Sequence, residues 1–455
     1  MSANFELTRD FLDRLKDSIE KDNSAYTHNL VTDLHPADIA EVYDELNIEE
    51  AKYVHLLLES EKSADVLMEL EEDVRERFLA ALPGDVIAHQ FIEKLDSDDA
   101  ADILNQLSEE KQTEVLKSIN DTEQAGDIVD LMSYAENSAG GLMAKELIKV
   151  NSNWDLVTCM REMRKQAADV DEIYYVYVVD DDGVLKGTVS LKRMLLVRPN
   201  AKIKNIYNEK VISVGVETPS NDVALIMEKY DLVALPVIDV IGRLMGRITI
   251  DDVVDVIKEE AEKDYQMISG ITEDVEPSDN VLLLTRARIP WLFIGLAGGI
   301  LGAQVISQFE GQISKWPQMA MFIPLIAAMG GNVGVQSSSI VVQGLANKSF
   351  SLDSTWKKLL KEVSVAFMNA SIFSLLIFGY NYFFTESFAL TVMVSISLFT
   401  VMMFASVFGA FIPMILNRFK VDPAVATGPF ITTMNDVFGI VMYMAIGRII
   451  FNLLA

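Results

Sequence analysis

Two stretches near the carboxyl end of this 455-residue chain set oxygen-bearing side chains inside otherwise apolar sequence. The first, AAMGGNVGVQSSSIVVQG, holds Asn332, Gln336 and Ser337 beside Gly330, Gly331 and Gly334. The second, TGPFITTMNDVFGIVMYMAIG, holds Thr432, Thr433, Asn435 and Asp436. In hydrocarbon a charge or an amide costs several kcal/mol unless it faces protein or water, so such residues mark a pathway or glue between helices. The glycines expose backbone carbonyls and permit a local break in the helix. Amide, carbonyl and carboxylate oxygens are hard ligands. Mg²⁺ wants oxygen, demands near-octahedral geometry and gives up water reluctantly, so one carboxylate with a few neutral oxygens around a hydrated ion suits it. Ca²⁺ would ask for about six to eight oxygens, and a transition metal for His, Cys or Met; histidine is absent after His89. Asp436, with Asn332, Gly331, Gln336 and Thr433, is therefore a candidate site for hydrated Mg²⁺. Hydrogen bonding between helices is the competing reading for Asn332 and Gln336, and a purely structural role the competing one for Asp436.

These residues need membrane-spanning elements to hold them, and a bilayer core takes about 20 apolar residues in a helix. Five stretches qualify, at 289–309, 319–346, 363–384, 389–416 and 424–454. The first carries Gly295, Gly298, Gly299 and Gly302, overlapping small-residue faces that let helices approach closely. Positive residues give the orientation. Arg286 and Arg288 precede the first span, Lys348, Lys357, Lys358 and Lys361 lie between the second and third, and Arg418 and Lys420 between the fourth and fifth. The alternate connections hold only Lys315. The amino-terminal part is thus expected in the cytoplasm and the carboxyl terminus outside, in the plasma (inner) membrane.

Charge is split as sharply as hydropathy. After position 284 there are 10 basic and 6 acidic residues, so of the net −29 the first 284 residues carry −33. Such a field repels nucleic acid and anionic lipid, attracts cations and strains a compact fold unless something neutralises it. Nucleic acid is not an expected partner; a solvated acidic surface is the plain alternative to cation binding. Cys159 is the only cysteine, so no intrachain disulfide exists. The opening MSANFELTRDFLDRLKDSIE lacks an apolar core, and no cleavable signal peptide is expected.

The first 136 residues read as helices only. LHPADIAEVYDEL, LESEKSADVLMEL, LPGDVIAHQFIEKL and LDSDDAADILNQL each begin with a cap signal and continue with apolar residues three and four apart. Short helices cannot bury their faces alone, so a stacked superhelix is expected, with a plain bundle as the alternative. Next comes a duplication: IYYVYVVDDDGVLKGTVSLKRML parallels LVALPVIDVIGRLMGRITIDDVV, with Gly183 and Gly187 matching Gly242 and Gly246. Each copy reads as strand, Asp-containing turn, strand and helix. This resembles a tandem pair of CBS domains. The resemblance implies a ribose-binding Ser/Thr-x-x-Asp pattern, kept as Thr249 and Asp252 in the second copy but replaced by Ser190 and Arg193 in the first. Helix capping by Thr249 and Asp252 is the alternative. From Asp252 to Ile268 an amphipathic helix is expected, with Val253, Val254, Ile257 and Ala261 on its apolar side and carboxylates opposite, a lever between sensor and pore.

As a set, AGGLM (139–143), YYVYVVD, DDVVDVI, GGNVGVQS and TTMNDVFG resemble the MgtE family of magnesium channels, over essentially the whole chain. The expected layout is a helical amino-terminal domain at 1–136, CBS copies at 137–199 and 200–257, a connecting helix and linker at 258–280, and a five-helix pore domain at 281–455. This is a multidomain membrane protein: an all-α superhelical domain, an α/β CBS pair and an α-helical bundle. The resemblance implies a homodimer with the pore between subunits and Asp436 of each facing the hydrated ion. It implies downhill Mg²⁺ entry into the cytoplasm, closed when cytosolic Mg²⁺ binds between the acidic amino-terminal domain, the CBS pair and the connecting helix. Asp98, Asp102, Asp251, Asp255, Glu259, Glu262 and Asp264 could supply those ligands, with Lys258 and Lys263 interrupting the acidic face. ATP at the CBS pair would be the second effector. No enzyme is expected, and no GxxxxGK[ST] loop indicates an ATP-driven pump. The rivals are a broader carrier of divalent ions such as Co²⁺ or Mn²⁺, and a membrane-anchored nucleotide sensor that transports nothing.

Overall fold

The computed structural model describes residues 5–454 apart from 169, 171, 273–274, 276–279, 347–351 and 427. Lys348 of the orientation argument, part of the linker before the membrane and the first four residues lie outside the described residues. The chain divides into two units, one ending at Glu259 and the other beginning at Glu260.

The first unit opens with α1 (Arg9–Glu20), α2 (Ser24–Val31), α3 (Pro36–Asp44), α4 (Ile48–His55) and α5 (Ser60–Met68). It continues with α6 (Glu72–Ala80), α7 (Gly84–Gln90), α8 (Ser97–Gln106), α9 (Glu109–Ser118) and α10 (Thr122–Leu131). Of the four expected starts only α3 is capped by a side chain, His35 with Asp38 and Pro36 at its first position. Glu59, Pro83 and Asp96, which precede α5, α7 and α8, make no side-chain cap bond, whereas α4, outside those strings, carries a capping box of Asn47 and Glu50. Each helix is too short to stand alone, and each buries one face, as with Ile39, Leu67, Ile87, Ile103 and Ile128. That core runs on into the second strand-bearing copy through Val223, Leu235 and Ile248.

The two copies have the same topology. In the first, β1 (Ile148–Asn151) leads through α11 (Leu156–Gln166) to a parallel β2 (Val176–Val179), which pairs antiparallel with β3 (Leu185–Val189) before α12 (Leu191–Leu196). In the second, β4 (Val214–Gly215), α13 (Ser220–Tyr230), β5 (Ala234–Ile238) and β6 (Leu244–Thr249) repeat it. The expected Asp turns have identical chemistry. Asp180 Oδ1 accepts the N–H groups of Asp182 and Val184, Asp239 Oδ1 those of Ile241 and Arg243, and Gly183 and Gly242 take φ of +80° and +87°. The hairpins also pair with each other, Leu185 N–H to Gly242 and Leu244 N–H to Gly183.

The amphipathic helix is α14 (Ile250–Ser269), but its buried side differs from the expected one. Val253 is buried and Val256 packs beside it, whereas Val254, Ile257, Ala261 and Tyr265 are exposed as a stripe along the other flank. The helix is apolar on two sides, and the sheet behind it selects the 253/256 side.

Among the described residues of the second unit, five helices are long and apolar enough to cross a membrane. They are α15 (Val281–Gln308), α17 (Ile323–Ala346), α18 (Leu352–Phe384), α19 (Phe388–Arg418) and α20 (Gly428–Leu454), with a short α16 (Glu310–Lys315) between the first two. α15 starts before the apolar stretch because Asn280 caps it, accepting the Leu283 N–H at 2.9 Å. α18 likewise starts early and takes Lys357, Lys358, Lys361 and Glu362 into the helix. The local break that these glycines permit is not made. α17 is unbroken from Ile323 to Ala346, because its glycines are spent on close approach to α19 and α20. Val401, Met402, Ile440 and Tyr443 fill the core between those helices, and the Tyr443 hydroxyl donates to the Met319 carbonyl at 2.8 Å.

Candidate ion sites and their regulation

Asp436 lies on α20 two turns in from Gly428, and the glycine face of α17 is what meets it. A Cβ at Gly331 would stand 3.4 Å from Asp436 Oδ1 and 3.1 Å from Thr432 Cγ2. One turn further, Gly334 is pressed against the Asn435 amide and, through its carbonyl, against Gly409 of α19. Asn435 is 1% exposed, and neither of its amide atoms has a hydrogen-bond partner among the described residues. Thr433 is turned elsewhere, onto Gly298 of α15, so Thr432 is the threonine beside Gly331.

Asn332 and Gln336 do not join Asp436 inside this chain. Both are exposed, on a stripe of α17 that runs Pro324, Ala328, Asn332, Gln336 and Ile340 at four-residue spacing. Two amides among small side chains make a poor lipid-facing surface, since a lipid-exposed amide has no partner. That stripe suits water or a second protein surface.

A different chemistry gathers in the first unit, at the amino end of α8. Asp98 and Asp99 occupy its first turn and Asp102 the next, while Asp252 approaches from α14. Burial first, then Asp99, Asp252 and Asp96, push the Asp98 carboxyl well above the ordinary range. Asp99 is pushed up to about 7, by burial and then by Asp252, Asp102 and Asp96, with Arg75 opposing. Asp102 shifts the same way, through its protein surroundings first and then Glu136, again with Arg75 opposing. Water reaches Asp102, which is exposed, so the pressure is greatest at Asp98 and Asp99. Asp96, Asp98 and Glu146 also bring carboxylate oxygens within 4.8 Å of one another. Glu146 is held there by Ser97, whose N–H and hydroxyl both donate to it, and Arg247 donates to the Glu146 carbonyl and reaches Asp96 Oδ2 at 3.4 Å. As bare anions these groups repel; a divalent cation among them would turn repulsion into attraction.

The predicted ligand positions therefore fall into three groups. Asp98 and Asp102 stand together, and their partner on α14 is Asp252. Asp251, Asp255, Glu259 and Glu262 lie on exposed parts of α14. Asp264, within the second unit, is raised by burial and then by Asp422 and Glu260, which makes a carboxylate pair with the α19–α20 connection. Asp99 and Glu146 were not singled out from sequence. An Asp99 signal was available in the run DSDD, whereas nothing local marks Glu146.

Thr249 and Asp252 engage each other: the Thr249 N–H and hydroxyl both donate to Asp252 Oδ2, at 2.9 and 2.7 Å. This is the capping arrangement. Ser190 does the equivalent for α12, accepting the Arg193 N–H. A small cleft lies beside the first copy, lined by Ile148, Val170, Glu172, Tyr174, Tyr177 and Arg247. The Arg247 guanidinium sits 5.7 Å from the centre of the Tyr174 ring, and the Tyr177 hydroxyl is buried with no partner among the described residues.

Comparison with known proteins gives a consistent set of likenesses. Residues 323–446 match the MgtE family model described as a divalent cation transporter, 34–137 the MgtE intracellular N domain, and 139–199 and 203–259 the CBS domain. The chain is similar to the magnesium transporter MgtE of Thermus thermophilus, 32% identical over 440 residues covering 96% of this chain and 97% of that one. It is 34% identical over 325 residues to the magnesium transporter MgtE of Enterococcus faecalis, covering 71% of this chain and 72% of that one. Among solved structures it resembles the cytosolic domain of the Mg²⁺ channel MgtE in complex with ATP, at 33% identity and a TM-score of 0.51, covering 54% of this chain and 99% of that one.

Proposed function

The chain belongs to the MgtE family of magnesium transporters, and from that premise we propose that it passes Mg²⁺ down its electrochemical gradient into the cytoplasm through a pore formed between two copies. The observation that carries this is the meeting of Gly331 with Asp436 beside a stripe of α17 that exposes Asn332 and Gln336. One carboxylate from each copy, with neutral oxygens nearby, can hold an ion that keeps much of its water, which is how Mg²⁺ is bound at least cost. The exposed amides acquire a role if the α17 stripes of two copies face a shared aqueous path. The exposed stripe Val254, Ile257, Ala261 and Tyr265 on α14 supports the same assembly.

Gating follows from the carboxylates. With Mg²⁺ among Asp98, Asp99, Asp102 and Asp252, the amino-terminal helices and the CBS pair are drawn together; without it they repel, and the two arrangements are biased by ion concentration. A mechanical route is supported by packing at the far end of α14. Ile268 and Gly270 lie against Gly428 and Pro429, the start of the helix that carries Asp436. The protein is a multi-pass membrane protein; the loop cations support a cytoplasmic amino-terminal unit and an external carboxyl terminus.

A nucleotide is a second effector in this reading. The related cytosolic domain was solved with ATP, and the cleft under Arg247 and Tyr174 offers an aromatic face and a cation. A cell lacking its own magnesium transport, grown on low Mg²⁺, tests the function: expression should restore growth, and failure at normal expression level would reject it. Competing Co²⁺ or Mn²⁺ in a flux assay separates a selective path from a broader one.

A further inference from the structure

Glu362 is a second carboxylate within the membrane helices, and neither the ion path nor the gate uses it. It lies ten residues into α18 and points at α17, where Ser337 Oγ donates to its Oε1 at 2.7 Å. Ser337 and Ser406 of α19 are both buried, and their hydroxyl oxygens are 2.8 Å apart. Because the single Ser337 proton goes to the carboxylate, Ser406 must be the donor to Ser337. An ordered relay results, Ser406 to Ser337 to Glu362, tying three helices at one point. A hydrogen bond that ends on a charged group is among the stronger ones, and in a low-dielectric setting it holds geometry tightly.

The helix so held is the one that meets Asp436. Ser337 is six residues beyond Gly331, roughly 9 Å along the axis and about 120° around it. Gly331 and Gly334 therefore fix one flank of α17 against α20, while Ser337 fixes another against α18 and α19. A slip of one residue would turn α17 by about 100° and carry Gly331 off the carboxylate.

We propose that Glu362 is a positioning residue for ion passage, which through the Ser337 hydroxyl sets the rotation and depth of α17 and keeps Gly331 beside Asp436. The proposal rests on the transport reading above. Initial Mg²⁺ uptake into liposomes, per molecule of inserted protein and with Ca²⁺ as competitor, tests it. E362A should lower uptake about tenfold, the size expected for a bond to a charged group, and change the Mg²⁺ to Ca²⁺ ratio. E362Q, which keeps an accepting oxygen, should recover most of that loss. S337A should match E362A, and the double variant should fall no lower than either alone, because the two remove one link. E362Q as low as E362A would overturn the proposal in favour of a charge acting on the ion. So would S337A at wild-type level, or unchanged flux and ratio per molecule with only less protein inserted. Absence of uptake in the unaltered protein would instead reject transport.

Discussion

An aspartate in a membrane helix and an aspartate crowded by other aspartates are both poor bare anions, one for want of water and the other for want of countercharge. The second case has a direct consequence in solution. The carboxyls of Asp98, Asp99 and Asp102 are raised, so the docked arrangement favours their protonated forms. Its stability is present below the ordinary value of 3.8 and is lost as pH rises through about 7, the value at Asp99. Under the proposed gating, Mg²⁺ would do the same service as protons and compete with them. With a distance reporter between α9 and α13 and no divalent ion, separation should grow from pH 5.5 to pH 8, and millimolar Mg²⁺ should flatten that dependence. Separation that is indifferent to both would count against the cluster as a sensor.

At the scale of elements, the contact that matters most joins the end of α14 to the start of α20. A Cβ on Gly428 would run into the Ile268 carbonyl, a backbone atom that cannot step aside. Overpacking of this kind costs about 1–3 kcal/mol, so Gly428→Ala should raise the cytosolic Mg²⁺ needed for half-closure about tenfold or more. Flux at low Mg²⁺ should be retained, as Asp436 is untouched; closure at the unaltered concentration would show that this contact does not transmit the gate. The elements were legible in the sequence where the signal is local and long. Apolar runs gave the five spans, the duplicated IYYVYVVDDDG and LVALPVIDVIG strings gave two like copies, and Asp180 and Asp239 gave their turns. What was not legible depends on which side of a helix meets a neighbour. Successive helix residues differ by about 100°, so only packing decides that Asp252, and not Asp251 or Asp255, faces Asp98, or that Val253 and not Val254 is buried. The glycines of α17 permit a break by their sequence alone, and only packing shows that their missing side chains instead admit Asn435 and Asp436. Glu362 escaped notice because it precedes the apolar run that drew attention to its helix.

At the scale of the molecule, a strongly acidic amino-terminal part joined to a mildly basic membrane part fits a cation sensor coupled to a cation path. The proposed pairing of two chains can be tested with little background, because Cys159 is the only cysteine and is buried. With Gln336→Cys on the exposed stripe of α17, a short bifunctional thiol reagent should yield a covalent dimer in membranes, whereas cysteine at the buried Val401 should not. The reverse pattern would place the shared path elsewhere. In the proposed function Mg²⁺ passes by Asp436 driven by its own electrochemical gradient, with no ATP consumed. Mg²⁺ uptake into ATP-free liposomes should follow the imposed gradient with the unaltered protein and fall to the level of empty liposomes with Asp436→Ala; uptake unchanged by that substitution would contradict the account.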